Sequence, residues 1–556
     1  MSLPSHIFRA VYQESEIERY KGNPFIEALP RVSKIEELKT KLEGKVKYNP
    51  AAGYLDARQR AHELCGLLDD FFQPLSMHVA LEEKIALMIR GGYVARNVAT
   101  GQLQQHLQNG YERLMTGDIS SFRFAEAPST ARCLSLIGCS GCGKSSSVLR
   151  ILATYPQAIY HEKYNTYQLA YLRIECPVDG SLKSLCLNFF KEVDKHLNTD
   201  LTERYGYKRH STEVLLSFMG QVANQYAIGV LVIDEIQRLG RKQKEGQERM
   251  LEFFVALVNV IGVPVILVGT PKARPIFELE LQSARRSTGI GSMVWEPLPQ
   301  HKNRIDKVTG IPKPTEWRLL TDKLWLYQWL IHRDEPLTEE VRNTWFELSQ
   351  GVLDIVVKLF VLAQLRAIIT GVERLSSKLF RKVYESELQP IHPMIEALKS
   401  GKAKSIAKYS DLKYKEIDKR LLELSQQISE VTAAKSDTLP FASDSEAMRL
   451  YNLLLGMGCE SELLVPLVQK AIKDHPNLQV RALIPLVLEW YEQAPDEVED
   501  AKEKPTIIKL KDWHTLPSDD LRFGYSQHKK QPGELYQYYK QQGKVFDMTA
   551  WLKQSV

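Results

Sequence analysis

The sequence contains no long uninterrupted apolar run, no regular cysteine spacing and no large excess of one charge. Its longest apolar stretch, residues 251–269, contains Glu252 and Pro264, which divide it into a helix and a strand and exclude a membrane span. Its seven cysteines, an odd number, argue against a disulfide framework and favour a reducing cytosol. Because the formal net charge is only +5, total charge alone does not indicate a nucleic-acid partner.

Signals for export and for repetition are also missing. The amino terminus lacks the charged-then-apolar order of a signal peptide, and the chain has no internal repeat or low-complexity tract. With 556 residues, of which 44% are hydrophobic, the chain has room for about two to four domains with substantial cores. We therefore expect a multidomain protein of the bacterial cytoplasm.

The phosphate-binding pattern G-x-x-x-x-G-K-[ST] at residues 138–145 is the most informative motif. It follows the apolar run 133–137 and precedes the helix-like run 146–149, the order in which a strand, a loop and a helix N-terminus hold phosphates. Lys144 is expected to reach the β- and γ-phosphate oxygens, and Ser145 to ligate Mg²⁺. A chance match in an ordinary loop is the alternative. The expected nucleotide-binding residues of this segment are Gly138, Cys139, Ser140, Gly141, Cys142, Gly143, Lys144, Ser145 and Ser146.

Two residues of this loop, Cys139 and Cys142, also form half of a zinc or redox motif, C-x-x-C. Their backbone is already committed to the phosphate loop. We therefore interpret them as tolerated loop positions.

A second motif, residues 229–235, is an apolar run that ends in two adjacent carboxylates. This pattern is typical of a buried parallel strand that carries acids at its C-terminal end. Asp234 is expected to join Ser145 in the Mg²⁺ shell, and Glu235 to polarise the water that attacks the γ-phosphate. The alternative is an acidic helix cap after a core strand. Since no Asn-Lys-x-Asp stretch of the kind that recognises guanine is present, we expect ATP rather than GTP.

Three further residues fall where AAA+ ATPases contact nucleotide across strands and subunits. Thr270 follows the apolar run 263–269 and is expected to act as a sensor of the γ-phosphate or of the attacking water; a Thr-Pro turn that ends a strand is the alternative. Arg285 and Arg286 lie where an arginine finger reaches the nucleotide of a neighbouring subunit, with a solvated basic turn as the alternative.

Three other residues are candidates for the two ends of the nucleotide. Arg90 and Tyr93 precede the phosphate loop, where AAA+ proteins often cover the adenine, although a Gly-Gly turn with a packed tyrosine explains them equally. Lys358 lies in a helical segment where a lid sensor would contact phosphate, and an exposed helix cation is the alternative.

Two basic loops, residues 204–210 and 238–244, are candidates for contacts with the DNA backbone. In a ring or filament, the loop after the second strand-tip motif tends to face the pore, so cations repeated in each subunit would follow a duplex. Solvated surface loops are the alternative. The expected DNA-contacting residues are Lys208, Arg209, Arg238, Arg241, Lys242 and Lys244.

The order of these patterns predicts an α/β fold: an AAA+ P-loop core of three layers with a parallel sheet, a helical lid, an N-terminal extension and a helical, basic C-terminal extension. We expect an N-terminal extension over 1–125, an ATPase core over 126–310, a lid over 311–392, a helical region over 393–500 and a tail over 501–556. The tail interleaves lysines with aromatic residues after an acidic, proline-flanked stretch at 495–505. This composition favours docking onto DNA or onto a partner protein.

Several blocks, taken together with the phosphate loop, resemble the TnsC family, the AAA+ regulators of Tn-seven-type transposons. The resemblance covers nearly the whole chain. The most specific blocks are Asn-Pro-Phe-Ile-Glu at 23–27 and Asp-Ile-Val-Val-Lys-Leu-Phe at 354–360. The others are Met-Ile-Arg-Gly-Gly-Tyr-Val at 88–94, His-Leu-Gln-Asn-Gly-Tyr-Glu-Arg at 106–113, Leu-Val-Ile-Asp-Glu-Ile-Gln at 231–237 and Ser-Ala-Arg-Arg at 283–286.

The resemblance implies an ATP-dependent homo-oligomer, a ring or helical filament, on double-stranded DNA. It also implies a target-selection protein and transposase subunits of the TnsA and TnsB type as partners. Two departures from the family pattern stand out. The small residues of the family's loop are Cys139 and Cys142 here, which bears on thiol sensitivity, and Asp354 stands three residues after Gly351, where related lids often carry an arginine.

We therefore predict a DNA-binding ATPase, located at the nucleoid when bound to DNA, that regulates DNA transposition and is reset by ATP hydrolysis. A replication initiator or helicase loader shares every nucleotide motif and is one alternative. A non-catalytic, nucleotide-dependent scaffold is the other.

Overall fold

A computed structural model describes most of the chain, in two compact units, Met1–Val480 and Arg481–Val556. The described residues are 4–118, 121–124, 132–206, 210–241, 253–254, 256–258, 262–273, 291–300, 304–305, 312–333, 336–409, 445–456, 461–475, 478, 480–493, 513–514, 516, 520–528 and 537–540. Within them, no helix is long and apolar enough to cross a membrane.

The strands of the first unit form three sheets. Their bounds are β1 Ile7–Arg9, β2 Cys133–Gly138, β3 Ala158–His161, β4 Thr166–Leu169, β5 Tyr171–Glu175, β6 Val230–Asp234, β7 Val265–Gly269, β8 Gly291–Trp295, β9 Arg304–Ile305 and β10 Pro312–Lys313. The largest sheet has the order β5-β6-β7-β2-β8, and all its described pairings are parallel.

The helices precede, surround and follow this sheet. In the N-terminal region they are α1 Pro24–Glu27, α2 Ile35–Leu42, α3 Ala57–Asp70, α4 Ser76–Val94 and α5 Gln102–Thr116. Around the sheet lie α6 Lys144–Leu152, α7 Leu182–Leu197, α8 Leu201–Gly206, α9 Thr212–Gln225 and the short 3₁₀ helix Ile236–Arg241.

Later helices follow the sheet. They are α10 Glu316–Trp325, α11 Glu339–Ser349, α12 Leu353–Thr370, α13 Ser377–Glu387, α14 His392–Ser400, α15 Ala403–Tyr409, α16 Ser445–Gly456, α17 Ser461–Asp474, α18 Val480–Gln493 and α19 Leu521–His528. Of these, α18, apart from its first residue, and α19 belong to the second unit. The predicted α/β class, a parallel sheet with helices around it, is confirmed.

The central strands are buried on both faces, which explains their unbroken apolar sequences. Every residue of β6 and β7 is buried. Val230 and Val232 belong to the apolar cluster that also contains residues of α4, α10 and α12. Leu231 and Ile233 belong to the cluster that contains residues of α7 and α9. Since successive side chains of a strand point to opposite faces, β6 is the middle of three layers.

The N-terminal region shares the core of the first unit. Strand β1 pairs in parallel with β3 in a small separate sheet, and Phe25 on α1 is fully buried. Asn23 caps α1 by accepting from the Phe25 amide and donates its own amide hydrogen to the Tyr93 carbonyl on α4 over 2.8 Å. The Asn-Pro-Phe block of the sequence is thus a helix start anchored to a neighbouring helix.

A buried ion pair joins α3 to the chain after α12. The Arg60 guanidinium donates to both carboxylate oxygens of Glu373 over 2.7 and 2.8 Å, and the two side chains are 7% and 10% exposed. Glu373 also accepts from the Ile331 amide over 3.3 Å. This bidentate geometry offsets the cost of removing two charges from water only while both partners are present.

Glu373→Gln should therefore destabilise the first unit by about 3–5 kcal/mol, because it leaves the Arg60 charge buried without a carboxylate. The matched control is Glu347→Gln, which breaks the half-exposed pair Arg381–Glu347 and should cost at most about 1 kcal/mol. Denaturant unfolding followed by far-UV circular dichroism measures both. Equal shifts for the two variants would contradict the structural role of the buried pair.

Candidate functional site

The strand order of the large sheet collects the predicted site residues at one edge. Strand β7 lies between β6 and β2, and all three run in parallel, so their C-terminal ends meet. The phosphate loop follows β2, Asp234 ends β6, and Thr270 follows β7. Ligands of open α/β sheets bind at this edge.

The phosphate loop is a tight turn held from two sides. Glycines at 141 and 143 have φ values of 77° and 86°, a backbone region that other residues adopt at a cost. The Cys142 carbonyl accepts from Trp295 Nε1 of β8 over 2.7 Å, and the Gly141 carbonyl accepts from the Asp354 amide of α12 over 3.0 Å. Helix α6 begins at Lys144, so its free N–H groups face the loop.

A cavity of about 1230 Å³ opens beside this loop. It brings together predicted residues from the loop, the strand tips and the lid. Those that line it are Ser140, Gly141, Gly143, Lys144, Ser145, Ser146, Glu235, Thr270 and Lys358. Of the other predicted residues, Gly138, Cys139, Cys142 and Asp234 do not line it, although they belong to the same loop and strand tip.

Lys144 is held at the base of the loop. Its side chain is buried, and Nζ donates to the carbonyls of Gly138 and Cys139 over 2.7 and 2.8 Å. Burial lowers the pKa of Lys144 below its ordinary value of 10.5, an effect that the carboxylates of Asp234 and Glu235 partly oppose. The ammonium is thus poorly hydrated and placed beside the cavity.

The two carboxylates at the end of β6 have different surroundings. Asp234 is 2% exposed; its Oδ2 accepts from the Arg173 guanidinium over 2.9 Å and its Oδ1 from the Glu235 amide over 2.8 Å. A carboxylate and the hydroxyl of Ser145 are the hard oxygen donors that Mg²⁺ prefers, so the residues present fit this ion.

Glu235 lines the cavity in a strained backbone conformation. Its φ is 60°, which costs a non-glycine residue about 1–3 kcal/mol and is characteristic of functional sites. Its Oε2 accepts from Gln237 Nε2 over 3.1 Å and pairs with Arg238 Nε at 3.3 Å. The carboxylate is therefore oriented by two neighbours on the following short helix.

Thr270 presents an unsatisfied hydroxyl. The residue is 3% exposed, its amide donates to Gln237 Oε1 over 3.1 Å, and its Oγ1 is buried without a hydrogen-bond partner among the described residues. Such a group costs about 1–3 kcal/mol until a partner satisfies it. A phosphate oxygen or water in the cavity would do so.

Helix α12 contributes a paired cation. Lys358, on α12, is 9% exposed and its Nζ lies 3.0 Å from Asp354 Oδ2. Both residues line the cavity, and the Asp354 amide also contacts the phosphate loop. A backbone hydrogen bond thus connects the beginning of α12 to the phosphate loop, and the charged side chains of Asp354 and Lys358 lie at this point of the cavity.

Two family models match the chain. One, described as an AAA domain, matches residues 126–277, and the other, described as the Tn7 transposition regulator TnsC, matches residues 508–555. The chain is thus similar to AAA domains over residues 126–277 and to the TnsC regulators over residues 508–555. No curated protein matches it closely enough to count as a relative.

Solved structures similar to this chain include a Walker-type ATPase of Pyrococcus abyssi, with 14% identity and a TM-score of 0.28 over 59% of this chain and 84% of that one. A structure of Drosophila ORC bound to DNA has 12% identity and a TM-score of 0.31 over 76% of this chain and 90% of that one. Likenesses at this level of identity and TM-score carry no conclusion about function.

Arg90 and Tyr93, predicted to contact the base, do not line the cavity. Tyr93 is fully buried, and its hydroxyl donates towards the carbonyls of Leu169 and Ala227 over 3.1 and 2.9 Å. Arg90 is 4% exposed and donates to the Pro30 carbonyl over 2.6 Å. Both residues join α4 to neighbouring segments.

Other residues, which the sequence reasoning missed, border the cavity on the side of the N-terminal region: Phe71, Phe72, Gln73, His78 and Arg150. The Arg150 guanidinium lies 4.8 Å from the Phe72 ring centre, and the Phe72 and His78 ring centres are also 4.8 Å apart. The sequence does contain one indication of this site: two adjacent aromatic residues, Phe71 and Phe72, followed by Gln-Pro between α3 and α4.

His78 carries an unsatisfied nitrogen at this end. Its Nδ1 accepts from the Leu75 amide over 2.8 Å, so the hydrogen of the neutral ring lies on Nε2, which is buried without a partner in the described structure. Burial lowers the pKa of His78 to about 4, and the ring is neutral at physiological pH.

The predicted DNA-contacting residues are only partly described. Arg238 pairs with Glu235 and with Glu175 at 3.5 Å, and it donates to the Cys176 carbonyl over 3.0 Å. Arg241 ends the 3₁₀ helix. The other predicted residues of these loops and the two candidate finger arginines lie outside the described residues: Lys208, Arg209, Lys242, Lys244, Arg285 and Arg286.

The lowered pKa of Lys144 predicts a pH-dependent affinity. Phosphate oxygens bind the ammonium form, so affinity for Mg·ATP should be constant while Lys144 is protonated and should fall as pH rises through its lowered pKa. Titrations with a fluorescent ATP analogue between about pH 7 and pH 11 measure this. Lys144→Ala should lose binding at every pH, and an affinity in the wild type that stays constant up to pH 10.5 would contradict the assignment.

Proposed function

We propose that this chain is an ATP-dependent regulator of DNA transposition that assembles on duplex DNA, receives a target-selection protein and recruits transposase subunits. The observation that carries the proposal is the cavity in which the phosphate loop, Glu235, Thr270 and the charged start of α12 meet. The match of residues 508–555 to the TnsC model supports the transposition part.

The phosphate loop and α6 would hold the triphosphate of ATP. Amide groups of the loop and the free N–H groups at the start of α6 would bind the phosphate oxygens, and Lys144 would leave its two carbonyl partners to reach them. Ser145 and Asp234 would hold Mg²⁺, which supplies positive charge to the phosphates when bound. The Arg173 contact holds the Asp234 carboxylate in a fixed orientation.

The aromatic end of the cavity would hold the base. Phe72 offers an apolar ring face, and His78 Nε2–H is a donor that a ring nitrogen of adenine can accept. Pockets of this kind combine apolar walls with few polar groups. The base is therefore assigned to the side of Phe72 and His78 rather than to Arg90 and Tyr93.

Hydrolysis would use Glu235 as the base. Gln237 and Arg238 fix its carboxylate, and the Thr270 hydroxyl would contact the attacking water or the γ-phosphate. Lys358 would sense phosphate from the lid, and Arg285 or Arg286 of a neighbouring subunit would stabilise the γ-phosphate. ATP would thus favour the oligomer, and hydrolysis would release it.

The loop after Glu235 would contact the DNA backbone. Its cations are Arg238, Arg241, Lys242 and Lys244. Because Arg238 is a quarter exposed and already touches two carboxylates, its part in DNA binding would be coupled to the hydrolytic carboxylate. The remaining cations of this loop would contact DNA phosphates whatever the base sequence, and Lys208 and Arg209 of the other loop would do the same.

The C-terminal tail would recruit a transposase subunit. It carries aromatic residues among lysines, and the rings of Trp513 and Tyr525 meet edge to face with centres 5.8 Å apart. Aromatic anchors with surrounding cations are common at protein interfaces. Recruitment would therefore be separable from the nucleotide cycle.

Glu235→Gln should keep Mg·ATP bound and slow hydrolysis by about 10²–10⁴-fold, because the amide cannot accept the proton of the attacking water. Steady-state phosphate release measures this, and complexes with DNA should become long-lived. Glu175→Gln is the control: Glu175 contacts the same Arg238 but does not line the cavity, so hydrolysis should change by less than about tenfold. A Glu235→Gln variant that hydrolyses ATP as fast as the wild type would contradict the role of Glu235 as the base, and a wild type that releases no phosphate would support the scaffold alternative.

Replacing Lys242 and Lys244 together with Ala should weaken binding to unrelated duplexes equally and reduce the salt slope by about one for each phosphate that the variant no longer neutralises. This pair leaves the Arg238–Glu235 contact intact. Lys195→Ala, an exposed lysine on α7, is the control and should leave the slope unchanged. Fluorescence anisotropy at several salt concentrations measures the slopes. An unchanged slope in the double variant would show that these lysines do not contact the DNA backbone and would support the alternative of solvated surface loops.

A chain that ends at Lys504 should bind ATP normally and recruit transposase subunits weakly, because the docking surface is removed and the cavity is not. A pull-down with each transposase subunit measures recruitment. Replacement of Trp513 and Tyr525 by alanine in the full chain should reproduce the defect. Normal recruitment by the shortened chain would move this role to the N-terminal region or the ATPase core.

A further inference from the structure

Two cysteines face each other across the turn of the phosphate loop. The Cys142 amide donates to the Cys139 carbonyl over 3.4 Å, and Gly141, at the third position of that turn, has a φ of 77°, as a type II turn requires. Such turns bring their first and fourth Cα atoms within about 7 Å, which overlaps the span of about 4.4–6.8 Å across a disulfide. Both cysteines are free thiols in the structure.

The two thiols are chemically unequal. A hydrogen bond between them lowers the pKa of Cys139, and the nearby Lys144 ammonium acts in the same direction. The same hydrogen bond, together with burial, raises the pKa of Cys142. Cys139 is 5% exposed and Cys142 only 1%. Cys139 is therefore the thiol of the pair that ionises more readily and takes the attacking part, and Cys142 takes the resolving part.

We propose that Cys139 and Cys142 form a redox modification site that closes to a disulfide within the phosphate loop and weakens ATP binding. The oxidant is a peroxide. The Cys139 thiolate attacks one peroxide oxygen, the O–O bond breaks, and a sulfenic acid and hydroxide form. Cys142 sulfur then attacks the Cys139 sulfur, the S–S bond forms, and the sulfenic oxygen leaves as water with the proton of Cys142. Two thiols lose two electrons in total, and the peroxide becomes two waters.

The position of the Lys144 ammonium explains why the disulfide would weaken ATP binding. The Cys139 carbonyl lies inside the ring that the disulfide would close, and it accepts from Lys144 Nζ over 2.8 Å. A closed ring keeps this carbonyl directed at the ammonium and fixes the turn around Gly141. Lys144 is then retained at the base of the loop, and the loop amides lose the freedom to adjust to phosphate oxygens.

The test uses the full chain, reduced and then treated with hydrogen peroxide. Peptide mass spectrometry should show that the peptide with residues 139–142 has lost two hydrogens. Titration with a fluorescent ATP analogue should show affinity weakened by about tenfold or more, and dithiothreitol should restore it. The effect on ATP affinity rests on the proposed function, so the untreated chain is the reference. An untreated chain that does not bind ATP contradicts that function. The peptide masses show in either case whether the disulfide forms.

Two variants make the test specific. Cys142→Ser keeps a small polar side chain but no resolving thiol, so peroxide should give no loss of two hydrogens and no reversible loss of affinity relative to the untreated variant. Cys65→Ser removes a partly exposed thiol on α3 and should keep the full response to peroxide. The proposal is overturned if the wild type forms no disulfide, if the disulfide leaves ATP affinity unchanged, or if Cys142→Ser loses affinity as the wild type does.

Discussion

The complete burial of two neighbouring parallel strands is the constraint on which the site depends. All five residues of β6 and of β7 are enclosed by apolar layers on both faces. Polar groups can therefore appear only at the strand ends, and the parallel order β6-β7-β2 brings three such ends to one edge. The phosphate loop, Asp234 and Thr270 share an edge because each stands at the C-terminal end of one of these three parallel strands.

Charges at this edge are stable because each has a partner that a nucleotide can replace or complement. Lys144 donates to two loop carbonyls, Asp234 accepts from Arg173, and Glu235 is held by Gln237 and Arg238. Removing such a partner without substitution is costly at low dielectric. Nucleotide binding and hydrolysis would therefore act by giving these charged side chains new hydrogen-bond and ion-pair partners, and would not leave any of the charges without a partner.

Local pattern was sufficient for much of the fold. The apolar run 133–137 lies in β2, the helix-like run 146–149 lies in α6, and the apolar run that ends at Asp234 is the buried strand β6. These elements have strong periodicity or unbroken apolar sequence, so their identity does not depend on distant contacts. The phosphate loop was recognisable for a similar reason, since its glycines and Lys144 are adjacent in sequence.

The aromatic end of the cavity, with Phe72 and His78, was not predicted from the sequence. The Tyr93 hydroxyl contacts two carbonyls, of Leu169 and Ala227, that are distant in sequence, and this burial removes it from the cavity. His78 borders the cavity only because α4 packs beside β8 and Phe72. Nothing in the neighbouring residues of either side chain records these tertiary contacts.

Control of assembly on DNA by the bound nucleotide is the central feature of the proposed function. Its most direct test is the mass of the complexes that the full chain forms on a duplex, measured by mass photometry with a non-hydrolysable ATP analogue and with ADP. Multimers should form on DNA with the analogue and disappear with ADP, and Lys144→Ala should behave as the ADP state does. Multimers of the same size with ADP, or single subunits on DNA with either nucleotide, would contradict control of assembly by the bound nucleotide.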